Sequence, residues 1–235
     1  MIVAKDLRVN VLGEPLFEKI NLVIRSGERV AVVGSQEGDV SVLLRALAGE
    51  DEVDRGTVTS DGERTVYVSP EILLGGKDSL GKLHRLRPTF VYFDATVRNI
   101  PESTLKEAIS FTETFRGGIL ISALDENLIK AAKVTRVLEI HAATKTITSY
   151  SGSYAEFLLE QEKDRLRTIE AYEKQQREKN RLESWLVQKR EEASRDKKAP
   201  EKGAVIRAKV KYLKREILDK EIPKPSYLED GESNG

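Results

Sequence analysis

The chain has no cysteine, two histidines, one methionine and one tryptophan among 235 residues. Without thiols, a disulfide framework, a Cys-ligated metal site and a cysteine nucleophile are all excluded. His84 and His141 stand far apart and unaccompanied, too few for a His-rich metal centre, so no metal site is expected. No apolar run approaches the roughly 18 residues that a membrane span needs. The opening Met1-Ile-Val-Ala-Lys5-Asp6 also lacks the charged-then-apolar order of a signal peptide. These absences predict a cytoplasmic protein with no membrane partner. Neither sign of charge prevails, with 39 Lys and Arg against 39 Asp and Glu. Spread evenly, that balance would argue against nucleic acid as a partner, because phosphate binding needs a basic surface.

The charge is not spread evenly. Residues 1–150 carry 19 basic and 21 acidic side chains, residues 151–220 carry 19 and 14, and residues 221–235 carry one and four. Within the first stretch short β-branched runs recur: 21–24, 29–33, 64–68, 90–93, 118–122 and 136–140. Bounded by Gly, Asp, Pro or polar residues, they read as strands. Helical patterns over 41–48, 101–115 and 126–132 lie between them. This alternation predicts an α/β layer with a mainly parallel sheet.

Past Ser151-Gly152-Ser153 the pattern becomes helical. Tyr154, Phe157, Leu158, Leu166, Ile169, Leu182, Trp185 and Leu186 recur at threes and fours or their sums, and neither Gly nor Pro interrupts Tyr154 to Lys198. A helix of about 40 residues reaches about 60 Å. Ala199-Pro-Glu-Lys-Gly203 is expected to break it, and the stripe Ile206, Val210, Leu213, Ile217 lets a second helix fold back as an antiparallel hairpin. Three regions follow: an α/β domain over 1–150, a charged helical hairpin over 151–220 and a disordered polar tail over 221–235.

Gly34-Ser-Gln-Glu-Gly-Asp-Val-Ser41 follows a strand and precedes a helix, the placement of a phosphate-binding P-loop. A working loop, G-x-x-x-x-G-K-[ST], uses glycines to bring backbone N–H groups to the phosphates and its lysine to reach the β/γ oxygens. Here Gly34 and Ser41 fit, but Asp39 and Val40 occupy the Gly and Lys positions. One carboxylate about 5 Å from a phosphate charge costs roughly 3 kcal/mol at an effective dielectric of 20. Triphosphate binding is therefore expected to be weak or absent. The candidate vestigial nucleotide contacts in this loop are Gly34, Gly38 and Ser41.

The chain resembles an ATP-binding cassette of the ABC-F family, transporter-free cassette proteins that act on ribosomes. The resemblance is carried by Leu16 through Gly34, Leu43-Leu-Arg-Ala-Leu-Ala-Gly49, Gly56-Thr-Val, Pro88 through Asp94, Thr135 through Ile140 and Tyr150 through Phe157, and it continues into the charged helices to about residue 220. It implies a reduced P-loop cassette lacking most of its helical subdomain, since 53 positions separate Val40 from Phe93. It also implies that the hairpin is similar to the linker between the family's two cassettes.

The same resemblance marks what is gone. Leu12 stands where an adenine-stacking aromatic is expected, and Ser69-Pro70 where a γ-phosphate-sensing Gln is expected. Leu73-Leu-Gly-Gly-Lys77 is at most an echo of the signature motif. Asp94 matches the Mg²⁺-binding acid, but Ala95 stands at the hydrolytic Glu and Ala123 at the switch His. A methyl group cannot orient or deprotonate water, so no catalytic residue is assigned. No cofactor is expected beyond weak ATP and Mg²⁺. Asp94 and Ser41 also admit a structural reading, as loop-capping acid and helix-start hydroxyl. Trp185, sharing a face with Leu182 and Leu186, reads as hairpin packing before base stacking.

From Arg181 to Glu216 twelve basic residues face six acidic ones, against six and seven from Tyr154 to Asn180. Lys189, Arg190, Arg195, Lys197, Lys198 and Lys202 fall near the expected hairpin tip. Such a run is often only a solvated face. Set beside the linker resemblance, it predicts phosphate contacts to rRNA or tRNA, which would read RNA shape. The expected function is that of a catalytically inactive, ribosome-binding translation or ribosome-protection factor. The alternative is a degenerate half of an ABC ATPase that binds ATP only with a complete partner cassette.

Overall fold

The computed structural model describes residues 1–11, 14–34, 37–75, 80–195, 200–213, 215, 220 and 222–225. In chain order the first elements are β1 (Ile2–Val11), β2 (Glu14–Ile24), β3 (Arg29–Gly34), α1 (Glu37–Ala48), β4 (Arg55–Thr59) and β5 (Thr65–Val68). Then come α2 (Pro70–Leu74), α3 (Gly81–Leu86), β6 (Phe90–Ala95), α4 (Glu102–Thr114), β7 (Gly118–Ala123) and α5 (Glu126–Ala131). The last are β8 (Arg136–His141), β9 (Thr146–Ser151), α6 (Tyr154–Arg195) and α7 (Pro200–Tyr212). The chain divides between Leu158 and Leu159 into two units.

The β-branched runs of the first unit form a six-stranded sheet in the order β5-β6-β7-β3-β8-β9, parallel throughout except for β9. This is the α/β architecture that the alternating runs predict. Its central strands are buried on both faces, which is why they are apolar without a polar alternate. Period-two geometry sends Val30 and Val32 of β3 to one face, into a core with Leu43, Leu44 and Leu47 of α1 and Leu7 and Phe17 of β1 and β2. Ala31 goes to the other face, with Phe93, Ile121, Phe111, Leu128 and Ile129. Between β5 and β6 the described residues form only the short helices α2 and α3, in keeping with a cassette whose helical subdomain is mostly missing.

A second sheet, antiparallel and ordered β2-β1-β4, lies outside the predicted set of strands apart from residues 21–24. β1 escapes the pattern because register shifts interrupt its pairing with both neighbours, and Asp6 takes a positive φ of 47°. Its alternation of buried Leu7 and Val9 with Arg8 and Asn10 is consequently short. β9 is missed for another reason: as an edge strand it carries Thr146, Thr148, Ser149 and Ser151, with little to bury.

Arg29, at the start of β3, ties helix ends to the sheet. Its guanidinium donates to the carbonyls of Thr112 and Phe115 at the end of α4 and of Ala132 after α5. These are carbonyls with no intrahelical donor of their own. Burial, reinforced by neighbouring Arg116, pulls the Arg29 pKa below its ordinary value.

α6 opens on a capping box. The Ser153 amide and hydroxyl both donate to the Glu156 carboxylate at 2.8 Å, and the Glu156 amide donates back to Ser153 Oγ at 3.3 Å. The change from sheet to helix thus falls at Ser153. The first unit nevertheless extends through Leu158, beyond the boundary expected at residue 150, because Tyr154 and Phe157 are buried in its core and Phe157 packs edge-on against Tyr150 at 5.8 Å.

In the second unit Leu182, Leu186 and Leu213 are buried together, with Trp185, Ile206 and Val210 packed against them. α6 and α7 therefore meet as an antiparallel pair, and Trp185 lies in the helix contact. The returning helix starts at Pro200, ahead of the expected stripe, and carries Gly203 in its first turn. Proline at the first helical position loses no bond there, since that N–H has no partner in any helix. Residues 222–225 do not follow the expectation of a disordered tail. Ile222 N donates to Gln175 Oε1 at 2.7 Å, Gln175 Nε2 donates to the Lys220 carbonyl at 2.8 Å, and Pro225 is buried.

Candidate functional site

Parallel strands end together on one edge of the sheet, where α/β proteins place ligands. Gly34 closes β3, Asp94 and Ala95 close β6, and Ser122 and Ala123 close β7 between them. In the β6–β7 register Asp94 pairs with Ser122 and Ala95 with Ala123. The two positions where the cassette resemblance expects Glu and His are thus side by side, and both carry methyl groups.

Asp94 is fully buried, and the protein itself satisfies both of its oxygens. Tyr67 of β5 donates its hydroxyl to Oδ2 at 2.8 Å. Thr96 donates to Oδ1 twice, from its hydroxyl at 2.5 Å and its amide at 3.2 Å. Ser41 Oγ lies 2.6 Å from Thr96 Oγ1. The result is a chain of four polar side chains, Tyr67, Asp94, Thr96 and Ser41. It joins two of the sequence-selected residues through a third that occupies the space between them. Burial, the Asp94 charge and the hydrogen bond to it push the Tyr67 pKa well above the ordinary phenol value, so this hydroxyl stays a donor. The bond from the Thr96 amide also makes Asp94 a loop cap, the structural role open to an acid at a strand end.

The sequence marks Asp94 and Ser41 but not their partners. Thr96, two residues beyond an Asp at a strand end, has the spacing of an Asx turn and was legible in principle. Tyr67 was not: it reaches Asp94 only because β5 pairs with β6 in a register that aligns Tyr67 with Tyr92.

The loop region has changed character as well. α1 begins at Glu37, so Gly38, Asp39, Val40 and Ser41 all lie on a helix. Gly34 is closely packed, since a Cβ there would stand 3.2 Å from both Ile140 and Val40 and those side chains would have to give by a few tenths of an ångström. Gly38 has nothing within 4 Å of such a Cβ among the described residues, which set no steric demand for glycine there. Val40, at the lysine position, is 2% exposed and belongs to the core. Asp39 is 9% exposed, its Oδ2 has no hydrogen-bond partner among the described residues, and burial raises its pKa. A turn further on, Arg45 donates to Asp51 at 2.8 Å.

Of the basic residues expected at the hairpin tip, Lys189 is described, and its ammonium pairs with Glu192 at 2.5 Å. Lys197 and Lys198 lie outside the described residues, as do the side chains of Arg190, Arg195 and Lys202 and the residues expected to carry the adenine contact and the end of the tail, Leu12 and 226–235. Among the described residues no cluster of three His, Cys, Asp or Glu side chains could hold a metal ion, and no helix is long and apolar enough to cross a membrane.

Comparison with known proteins adds the family context. A family model described as ABC transporter matches residues 140–215, the end of the sheet and the helical hairpin. The probable ATP-binding protein YbiT of Escherichia coli O157:H7 is 22% identical over 195 residues, covering 61% of this chain and 36% of that protein. The phosphate import ATP-binding protein PstB 2 of Natronomonas pharaonis is 27% identical over 144 residues, covering 61% of this chain and 49% of that one. The chain therefore spans only a third to a half of these relatives. Among solved structures, an ATP-binding subunit of an ABC transporter aligns with 68% of this chain and 98% of its own at 13% identity and a TM-score of 0.48. The sequence matches relate this chain to the ATP-binding cassette proteins.

Proposed function

We propose that this chain is a cassette-derived protein that does not hydrolyse ATP and works by binding ribosomal RNA or tRNA, as a translation or ribosome-protection factor. The observation that carries the first half is the closed state of Asp94, whose oxygens are both engaged by Tyr67 and Thr96. The residues present do not fit Mg²⁺ and ATP. Ser41 is held by Thr96, a buried Val40 replaces the ammonium, and a carboxylate stands where phosphate oxygens would come. Ala95 and Ala123 supply no base and no switch. What remains is a folded scaffold with a long helical hairpin.

The second half is supported by charge. Twelve basic against six acidic residues between Arg181 and Glu216 give this stretch an excess that the cassette lacks. The Lys189–Glu192 pair is only half-buried and such pairs are worth little, so it does not remove Lys189 from phosphate contact. The test is co-sedimentation of the protein with ribosomes at low and high salt. Pelleting at low salt that weakens when Lys189, Arg190, Arg195, Lys197, Lys198 and Lys202 become Ala is expected. No pelleting at either salt, or pelleting that the six substitutions leave unchanged, overturns the reading.

A second reading is favoured by the likeness to two ATP-binding proteins. In it the chain is the degenerate half of a two-cassette ATPase and binds nucleotide only against a complete cassette. Co-elution with such a cassette that requires ATP supports it, and co-elution indifferent to ATP counts against it.

A further inference from the structure

We propose that the outer face of the β2-β1-β4 sheet holds a binding site for a phosphate group, formed by Arg8, Lys19 and Arg55. These three cations and Asp6 line a cavity of about 330 Å³. The site is separate from the Asp94 network and does not depend on whether the hairpin binds RNA.

Three observations converge. First, the β1–β4 register sets Arg8 directly opposite Arg55. Like charges at opposed positions repel, and a sheet that keeps them together is destabilised unless an anion lies between them. Lys19 brings a third positive charge from β2, on the other side of β1. Second, no described carboxylate forms an ion pair with any of the three. Arg8 donates from Nε to the Asn10 side-chain carbonyl at 3.3 Å, and nearby Asp54 is engaged by the Asn10 amide at 2.7 Å and side chain at 3.1 Å. With Asp6 counted at full charge, the described side chains lining the cavity still carry two net positive charges.

Third, the backbone is bent to make the cavity. Asp6 and Lys19 take positive φ values of 47° and 54°, and the β1 pairings slip in register on both sides of Asp6. Gly56, next to Arg55, has φ 92° and lies so close to the Lys5 and Asp6 carbonyls that no Cβ fits. A lysine in the left-handed region costs conformational energy that an ordinary strand would avoid. Guanidinium groups converging on one cavity match the tetrahedral oxygens of phosphate, to which arginine bonds through two N–H groups at once. The phosphate is either a free phosphoryl anion or the backbone of RNA, and the chemistry that receives it is the same.

The experiment is thermal unfolding of the whole chain in chloride-matched buffers, with inorganic phosphate, with pyrophosphate and with a short RNA lacking terminal phosphates. The parent, Arg55→Gln, Arg55→Lys and a Lys19→Gln variant are compared. Phosphate or RNA is expected to raise the Tm of the parent, with an apparent affinity about tenfold lower in Arg55→Gln and partly kept in Arg55→Lys. Without ligand, Arg55→Gln should unfold no lower than the parent, because it relieves the Arg8–Arg55 repulsion. A response to the inorganic anions alone assigns a free phosphoryl ligand, and a response to RNA lost in the same variants assigns the nucleic-acid backbone. Tm shifts absent from the parent, or equal in the parent and Arg55→Gln, overturn the proposal.

Discussion

Asp39 and Gly38 lie in the first turn of α1, and each leads to a test by a single substitution. Burial raises the Asp39 pKa above its ordinary 3.8. A raised folded-state pKa means that stability is fully present below 3.8 and is lost as pH rises through the folded value. Asp39→Asn should therefore raise the Tm at pH 7, by an amount that shrinks as the pH falls towards 3.8. An advantage independent of pH would contradict the assignment of the cost to the ionised carboxyl. Glu63 titrates in the opposite sense. Hydrogen bonds from the Ser26 and Thr89 hydroxyls, both at 2.5 Å, hold its pKa at about 2. Its stabilisation is present above its ordinary 4.5 and lost as pH falls from there towards 2, so Glu63→Gln should flatten the acid limb of a stability–pH curve. For Gly38, lying on a helix with open space around it, replacement by Ala should stabilise the fold by about 0.5–1 kcal/mol. Destabilisation by thermal or urea unfolding would show a backbone demand at that position that the geometry does not contain.

At the scale of elements, the helix start at Ser153 gives the cleanest case. Serine followed three residues later by glutamate, just ahead of an apolar stripe, is a helix-start signature, and both reciprocal bonds are formed. Ser153→Ala should cost about 1 kcal/mol, read as a lower urea midpoint with an unchanged slope. The same element shows how far local pattern reaches. The strands buried on both faces, β3, β6, β7 and β8, were legible because their neighbours on either side are apolar, leaving a continuous run. β1, β4 and β9 were not, since a bulged strand or a half-exposed edge has too few alternations to stand out from a loop. Asp94 and Ser41 could be picked out one at a time by position relative to strand and helix. Thr96 follows Asp94 at the local spacing of an Asx turn, but that Tyr67 closes on Asp94 follows from strand register, which no local spacing encodes.

For the whole molecule, the balance of 39 basic and 39 acidic residues conceals a slightly acidic cassette and a more basic hairpin. The cassette keeps its close packing: Gly34 against Ile140 and Val40, Arg29 on the helix ends and a core on both faces of the sheet. Ala95 and Ala123 stand at the positions where the resemblance expects the hydrolytic Glu and the switch His, and Asp94 is turned inward to Tyr67 and Thr96. The most direct test of this division is ATP turnover by the full chain with Mg²⁺, compared with Asp94→Ala and Ser41→Ala variants under the same conditions. The account predicts identical background release of phosphate from all three. Turnover by the parent that either substitution abolishes would contradict it.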